Sequence, residues 1–350
     1  MTGKTEINAR QIGLFAAFIL PVYKLVETPS VLARYAKGDL LLPALLHFIL
    51  QAGVLCLILL FVAKGKTCLY DRISPKIKKP LFAFFALVYL LIAILPVLDL
   101  EKFTYAVFYD TPPTLFSFAF FFIFTAFVCV KELRSVGRAA DLSLFLFLVP
   151  FLALLVMSVT EADFTNLLPL FEYEFGHTVS AFKNTTAHFT DVLLLLPLLG
   201  NLQYKKGDAK KILGGYGLGA FFTLLFLAVF YGIFSSVAER EHYAFAKIAQ
   251  YFPPLASIGR IDLIFVYILC IVLFFFTALP LFYATLFSTE IFGKNKRLLC
   301  AILINIGAFL FTLFFNKNYD FFYRFLGNTL WFVFLAALIP VCFLCRKEKQ

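Results

Sequence analysis

Two short stretches of this chain combine ionisable side chains with a broken helical pattern. The first is Pro21-Val22-Tyr23-Lys24-Leu25-Val26-Glu27-Thr28-Pro29, which follows an apolar run from Ile12 to Leu20. Each proline removes a backbone donor and clashes one turn back. Each also pushes the residue before it toward an extended conformation. The pattern predicts an interrupted helix with halves near 11–20 and 29–36. Lys24 and Glu27 are three positions apart, so any helical turn left between them puts both on one face. Tyr23, Lys24, Glu27 and Thr28 are therefore candidates for handling a substrate or an ion. A structural ion pair between Lys24 and Glu27 is the other reading, and the two roles are compatible.

The second stretch is Phe182-Lys183-Asn184-Thr185-Thr186-Ala187-His188-Phe189-Thr190-Asp191, mostly polar and followed by an apolar run from Val192. Thr190 or Asp191 suits the N-cap of a half-helix there, and Pro197 bends it further. The amino end of a helix presents free N–H groups and a positive dipole end, which suits a carboxylate. Asn184, Thr185, Thr186, His188 and Asp191 join the candidate binding residues. The competing reading makes 177–190 an external loop with an interfacial helix.

The composition says what must position these groups. Apolar residues make up 62% of the 350, charged residues 15%, and the mean hydropathy is +0.90. A soluble protein carries roughly 45–50% apolar and about 25% charged residues. This excludes a soluble enzyme, a disordered chain and a nucleic-acid binder. The expected class is all-α and polytopic in a lipid bilayer. A span needs about 20 mostly apolar residues. Ten such segments can be drawn, near 11–35, 39–63, 80–98, 113–130, 139–160, 177–201, 212–237, 261–291, 298–315 and 320–345. They leave no room for a separate soluble domain, so residues 1–350 form one membrane domain.

The net charge of +10 then becomes a topology signal. With ten spans, 21 of the 31 Lys and Arg residues fall on the side that holds the amino terminus and 9 on the other, counting Arg34, Lys183 and Arg324 in the outer parts of their spans, while Lys24 lies deeper within one. Basic residues concentrate in the cytoplasm, so both termini are expected there. Polar groups inside a span are costly and mark function by default. Spans 1 and 6, which carry the two broken stretches, hold the same place in two sets of five. Interrupted segments at corresponding positions point to a transporter site, and an odd repeat length inverts the second set. A five-plus-five inverted repeat follows, with one repeat near 11–160 and the other near 177–345.

Other chemistry is sparse. Seven cysteines show neither a disulfide framework nor zinc spacing. His47, His177 and His242 have no partners at metal-ligand spacing. No metal, cofactor or catalytic constellation is expected, and the chain is read as a non-enzyme. Gly214, Gly215, Gly217 and Gly219 lack the strand that a dinucleotide fingerprint needs and are expected to let helices approach closely. Tyr89, Tyr267, Thr277 and Tyr283 are secondary candidates for a cavity lining.

Ile7 to Gln11, Pro29 with Leu32-Ala33, Asp39, Asp163 to Pro169 and Arg260-Ile261-Asp262 form a series of short motifs along most of the chain. In order and spacing they resemble those of the spore germination permeases, the B subunits of germinant receptors within the amino acid–polyamine–organocation superfamily. Ile7-Asn8-Ala9-Arg10-Gln11 is similar to the family's Ile-Ser-x-Arg-Gln opening. Pro29 followed by Leu32-Ala33, and Asp39 at the start of span 2, also match. Asp163-Phe164-Thr165-Asn166-Leu167-Leu168-Pro169 resembles Asp-x-x-x-Leu-x-Pro after span 5, and Arg260-Ile261-Asp262 resembles Arg-Leu-Asp before span 8. Where the family commonly has Gly-x-Gly in span 1, this chain has Val22-Tyr23-Lys24, as a divergent member would. The resemblance implies a LeuT-like fold in the spore inner membrane. It also implies sensing or transport of a small amino acid or similar germinant, with an A-type membrane subunit and a C-type lipoprotein as partners. The alternative is a stand-alone proton-coupled amino-acid transporter.

Overall fold

The computed structural model describes residues 7–327 and 329, apart from 66, 109–117, 170, 172 and 252–261. Among the described residues, α-helices carry nearly all the regular structure. The first crossing consists of α1 (Ala9–Phe18), α2 (Leu20–Lys24) and α3 (Thr28–Ala36), and it turns by 62° at its break. Six further helices are long and apolar enough to cross a bilayer. They are α4 (Leu41–Ala63), α5 (Pro75–Phe108), α7 (Leu133–Val159), α10 (Asp208–Phe234), α12 (Asp262–Phe292) and α13 (Arg297–Asn316). Shorter helices complete the set: α6 (Ala119–Val130), α8 (Phe175–Thr185), α9 (Asp191–Gly200), α11 (Ala244–Tyr251) and α14 (319–327). The chain is thus an all-α polytopic membrane protein.

Several expected spans shift. Span 3 extends well past 80–98 in both directions. Lys76, Lys78 and Lys79 before it, and Asp99, Glu101 and Lys102 after it, end the apolar run but not the helix. Span 6 is two ten- or eleven-residue helices rather than one rod. The first part of span 4 and most of span 10 lie outside the described residues, as does the Arg260-Ile261 part of one motif. The described helices therefore give seven crossings by length, with α6 and α9 as shorter apolar segments.

The outward faces of α4, α6 and α13 are lined with exposed apolar residues such as Ile49, Leu60, Phe120, Phe127, Leu303 and Phe314. This is what a lipid-facing surface requires. Inside, α5 packs along α12, α4 along α10, α6 along α13, and α3 against α8. A buried hydrogen bond from Thr125 to Asn305 ties α6 to α13. The first half-helix lies against α10 and α7. A Cβ at Gly215 or Gly219 would fall closer than 3.0 Å to the carbonyl oxygen of Gly13 or Ala16. The expected close approach therefore belongs to these two glycines, one turn apart. Gly214 and Gly217 face open space.

The family-like motifs act as local fasteners. Asn8 and Gln11 form a capping box at the start of α1, and Arg10 and Gln11 both donate to Asp141 of α7, each at 2.9 Å. Asp39 accepts the backbone N–H groups of Phe171 and Tyr173 at 2.7 and 3.1 Å. Asp163 folds its own loop by accepting from the N–H and hydroxyl of Thr165.

Candidate functional site

The break in the first crossing falls at Leu25-Val26-Glu27, later than the halves at 11–20 and 29–36 suggest. Both prolines are accommodated because each sits in the first turn of a short helix, Pro21 in α2 and Pro29 in α3. There the missing N–H would have no helical partner in any case. The carbonyls of Leu25 and Val26, left free by the break, accept the N–H groups of Phe245 and Ala244 at 3.1 and 2.8 Å. The start of α11 thus satisfies unwound backbone that lipid cannot.

The second interruption runs from a tight 3-10 turn at Thr186–His188 through the non-helical pair Phe189-Thr190 to the start of α9. Thr190 holds the N-cap position, but its side chain makes no capping bond. Gln51 of α4 takes that role. Its amide nitrogen donates to the Phe189 carbonyl, and its oxygen accepts the Val192 N–H at 3.1 Å. Further along α9, Pro197 supplies no donor for the Leu193 carbonyl one turn back, and the Tyr89 hydroxyl donates to it at 2.6 Å. His47, one turn before Gln51, stacks between Phe182 and Phe189 with ring centroids 3.9 and 4.2 Å away.

The two breaks meet through Lys24. Its amine forms an ion pair with Asp191, and the two side chains are 1% and 3% exposed. The Lys24 amine also donates to the Leu20 carbonyl at 3.2 Å and lies 5.3 Å from the centre of the Phe189 ring. The Tyr216 hydroxyl donates to the other Asp191 oxygen at 3.4 Å. Pairing of Lys24 with Glu27 is thus corrected. The helix stops after Lys24, so the register that would have placed the two on one face is lost.

Glu27 belongs to a second group on the far side of the break. The Tyr23 hydroxyl donates to Asp99 of α5, and the Tyr319 hydroxyl donates to the other Asp99 oxygen at 2.6 Å. Glu27, Asp99 and His188 each bring one oxygen or nitrogen within 4.8 Å of the others. They line a small pocket, with room for about one water molecule, together with Tyr23 and apolar walls from Phe103 and Leu273. His188 packs between the rings of Tyr23 and Tyr323, and neither of its nitrogens has a hydrogen-bond partner. Among the described residues no salt bridge reaches Glu27 or Asp99.

Of the sequence candidates, Tyr23, Glu27 and His188 share this cavity, while Lys24 and Asp191 form the neighbouring pair. Asn184, Thr185 and Thr186 turn their side chains back onto carbonyls of α8 at Ser180, Ala181 and Phe182. The Thr28 hydroxyl is buried without a partner at the start of α3. Tyr283 is buried with an unpartnered hydroxyl, Thr277 bonds back to Leu273, and Tyr267 is exposed on the outer face of α12. Asp99, Gln51, Tyr216 and Tyr319 escaped the sequence reading. Gln51 is a polar residue inside span 2, and Asp99 falls just after the assigned end of span 3. The rule that intramembrane polar groups are functional would have found Gln51; Asp99 escapes it because the assigned span ends one residue too early.

An all-α bundle with interrupted helices and buried charges at the interruptions defines a permease-type integral membrane protein. The family model described as spore germination protein, the spore permease family, matches residues 41–320. That is most of the chain, and the chain belongs to this family. No curated protein gives a match.

Proposed function

We propose that this chain is the permease-like subunit of a germinant receptor and that it binds a small amino acid or similar germinant between its two interrupted helices. The pocket shared by Tyr23, Glu27, Asp99 and His188 carries this reading, and it must widen as the ligand enters. Its side chains come from the first crossing, α5 and the second break, so a ligand there touches several elements at once. Two acidic groups, Glu27 and Asp99, suit an ammonium. Lys24 and Asp191 hold the breaks together beside it.

A five-plus-five inverted repeat supports the same placement. The pairings of α3 with α8, α4 with α10, α5 with α12 and α6 with α13 each join an expected span to its counterpart five spans later. Repeat one covers about 11–160 and repeat two about 177–345. Both termini face the cytoplasm of the spore inner membrane, and reporter fusions at residues 205 and 350 should both read inside. A-type and C-type germinant receptor subunits are the proposed partners.

A second reading, a proton-coupled transporter working alone, draws on the carboxylates and imidazole clustered in the cavity, which can carry a proton. Thermal-shift screening of the purified protein against amino acids, nucleosides and sugars tests the binding claim. A ligand at 100 times its Kd should stabilise the native state by about 2.7 kcal/mol. No shift with any of them sinks it. Uptake into proteoliposomes under a pH gradient separates transport from sensing.

A further inference from the structure

We propose that Glu27, Asp99 and His188 form a binding site for one divalent transition-metal ion of the zinc or manganese type. The location rests on the site proposed above; the ion would take the place there of a ligand's ammonium between the two carboxylates, and metal binding itself needs no amino-acid ligand.

Three observations converge. The donor atoms come from the break in the first crossing, from α5 and from the turn before α9, and all lie within 4.8 Å of one another. Ligand atoms on one ion with bonds of about 2.0–2.2 Å stand about 3–4.4 Å apart, so small side-chain rotations close the set. Secondly, His188 is 2% exposed, faces the cavity, and has no hydrogen-bond partner on either nitrogen. A buried imidazole normally pairs at least one nitrogen, and here a lone pair is available. Thirdly, two carboxylates share the cavity without a salt bridge, while the nearby Lys102 amine lies over the Tyr319 ring at 2.9 Å instead. A divalent cation supplies the missing positive charge.

The donor set selects the ion. One imidazole with two carboxylates favours borderline metals over magnesium or calcium, which prefer oxygen alone. The Tyr23 and Tyr319 hydroxyls donating to Asp99 are the outer hydrogen bonds that orient a ligating carboxylate. Three protein ligands leave positions free for water or for donor atoms of a small ligand. Sequence spacing could not reveal the site, because its ligands are 72 and 89 residues apart.

The test uses tag-free, chelator-stripped full-length protein in detergent, titrated calorimetrically with zinc, manganese and magnesium chlorides. One saturable zinc or manganese site per chain is expected, with magnesium weaker by about 100-fold. Glu27→Gln and His188→Gln should each weaken binding at least about tenfold, while His242→Gln, in the loop after α10, leaves it unchanged. Bound cobalt should give visible absorption bands that shift in His188→Gln. If His188→Gln does not fold, Glu27→Gln, at the least buried of the three ligands, decides alone. Absence of saturable zinc and manganese binding, or binding that both variants leave intact, overturns the proposal. Amino-acid binding measured in excess chelator separates the two claims: if it persists without metal uptake, only the metal site fails.

Discussion

Lys24 and Asp191 form a buried ion pair that joins the two interrupted helices, one residue standing at the end of α2 and the other at the first position of α9. Removing one partner leaves the other charge buried and unpaired. Lys24→Met or Asp191→Leu alone should therefore cost about 3–5 kcal/mol, read as a lowered melting temperature in detergent. The double variant should recover most of that loss, because apolar pairs often replace buried ions at little cost. Glu27→Gln should not rescue Lys24→Met. Rescue by Glu27→Gln would mean that Lys24 pairs with Glu27 after all.

The contact between α1 and α10 depends on three glycines, Gly13 of α1 and Gly215 and Gly219 of α10. Gly215→Leu or Gly219→Leu must force the helices apart and should destabilise the protein by about 1–3 kcal/mol or more. Gly214→Ala and Gly217→Ala, which face open space, should be neutral or slightly stabilising, since alanine favours helix over glycine by about 1 kcal/mol. Melting temperatures of the four variants check the pattern. Equal losses at all four positions would contradict the packing described.

Arg72 closes the end of α4. Its guanidinium donates to the carbonyls of Phe61 and Val62 at 2.9 Å and of Thr67 at 2.6 Å. Cations are favoured at a helix C-terminus, and each charged hydrogen bond contributes about 1.5–3 kcal/mol. Arg72→Ala should expose the loop after α4 to limited proteolysis, with Arg72→Lys intermediate because lysine lacks the planar fork. Unchanged cleavage in Arg72→Ala would assign the loop's order to other contacts.

The loop after α7 should loosen in acid. Hydrogen bonds from the hydroxyl and N–H of Thr165 hold the Asp163 carboxyl below its ordinary value of 3.8. A depressed folded value means that this contribution is present above the unfolded value and is lost as pH falls through the folded one. Pepsin cleavage between residues 160 and 169 should increase as pH drops below about 4. Asp163→Ala should be cleaved readily across the range and lose the pH dependence. A wild-type loop whose cleavage does not change with pH would refute this.

Span placement was readable because lipid imposes length and composition directly, as the match between 39–63 and α4 illustrates. The interruptions were readable because Pro21, Pro29 and the polar run before Val192 are local signals. The partners across the interruptions were not. Asp191 reaches Lys24 from 167 residues away, and no helical period relates residues so distant. Asp99 was missed because the apolar run ends one residue before it, although the helix continues to Phe108. The proposed cap on α9 failed for a related reason: Gln51 competes for the Val192 N–H from another helix.

Gln51 behaves as a splice in the main chain. One side-chain amide presents a donor to Phe189 and an acceptor to Val192, as a peptide group inserted at that point would. The gap in span 6 is therefore mended by a neighbour rather than by its own strand of residues. The repair travels with its donor, so α4 and the gap are mechanically one part. A displacement of either without the other must break both bonds within the bilayer, where no water can replace them.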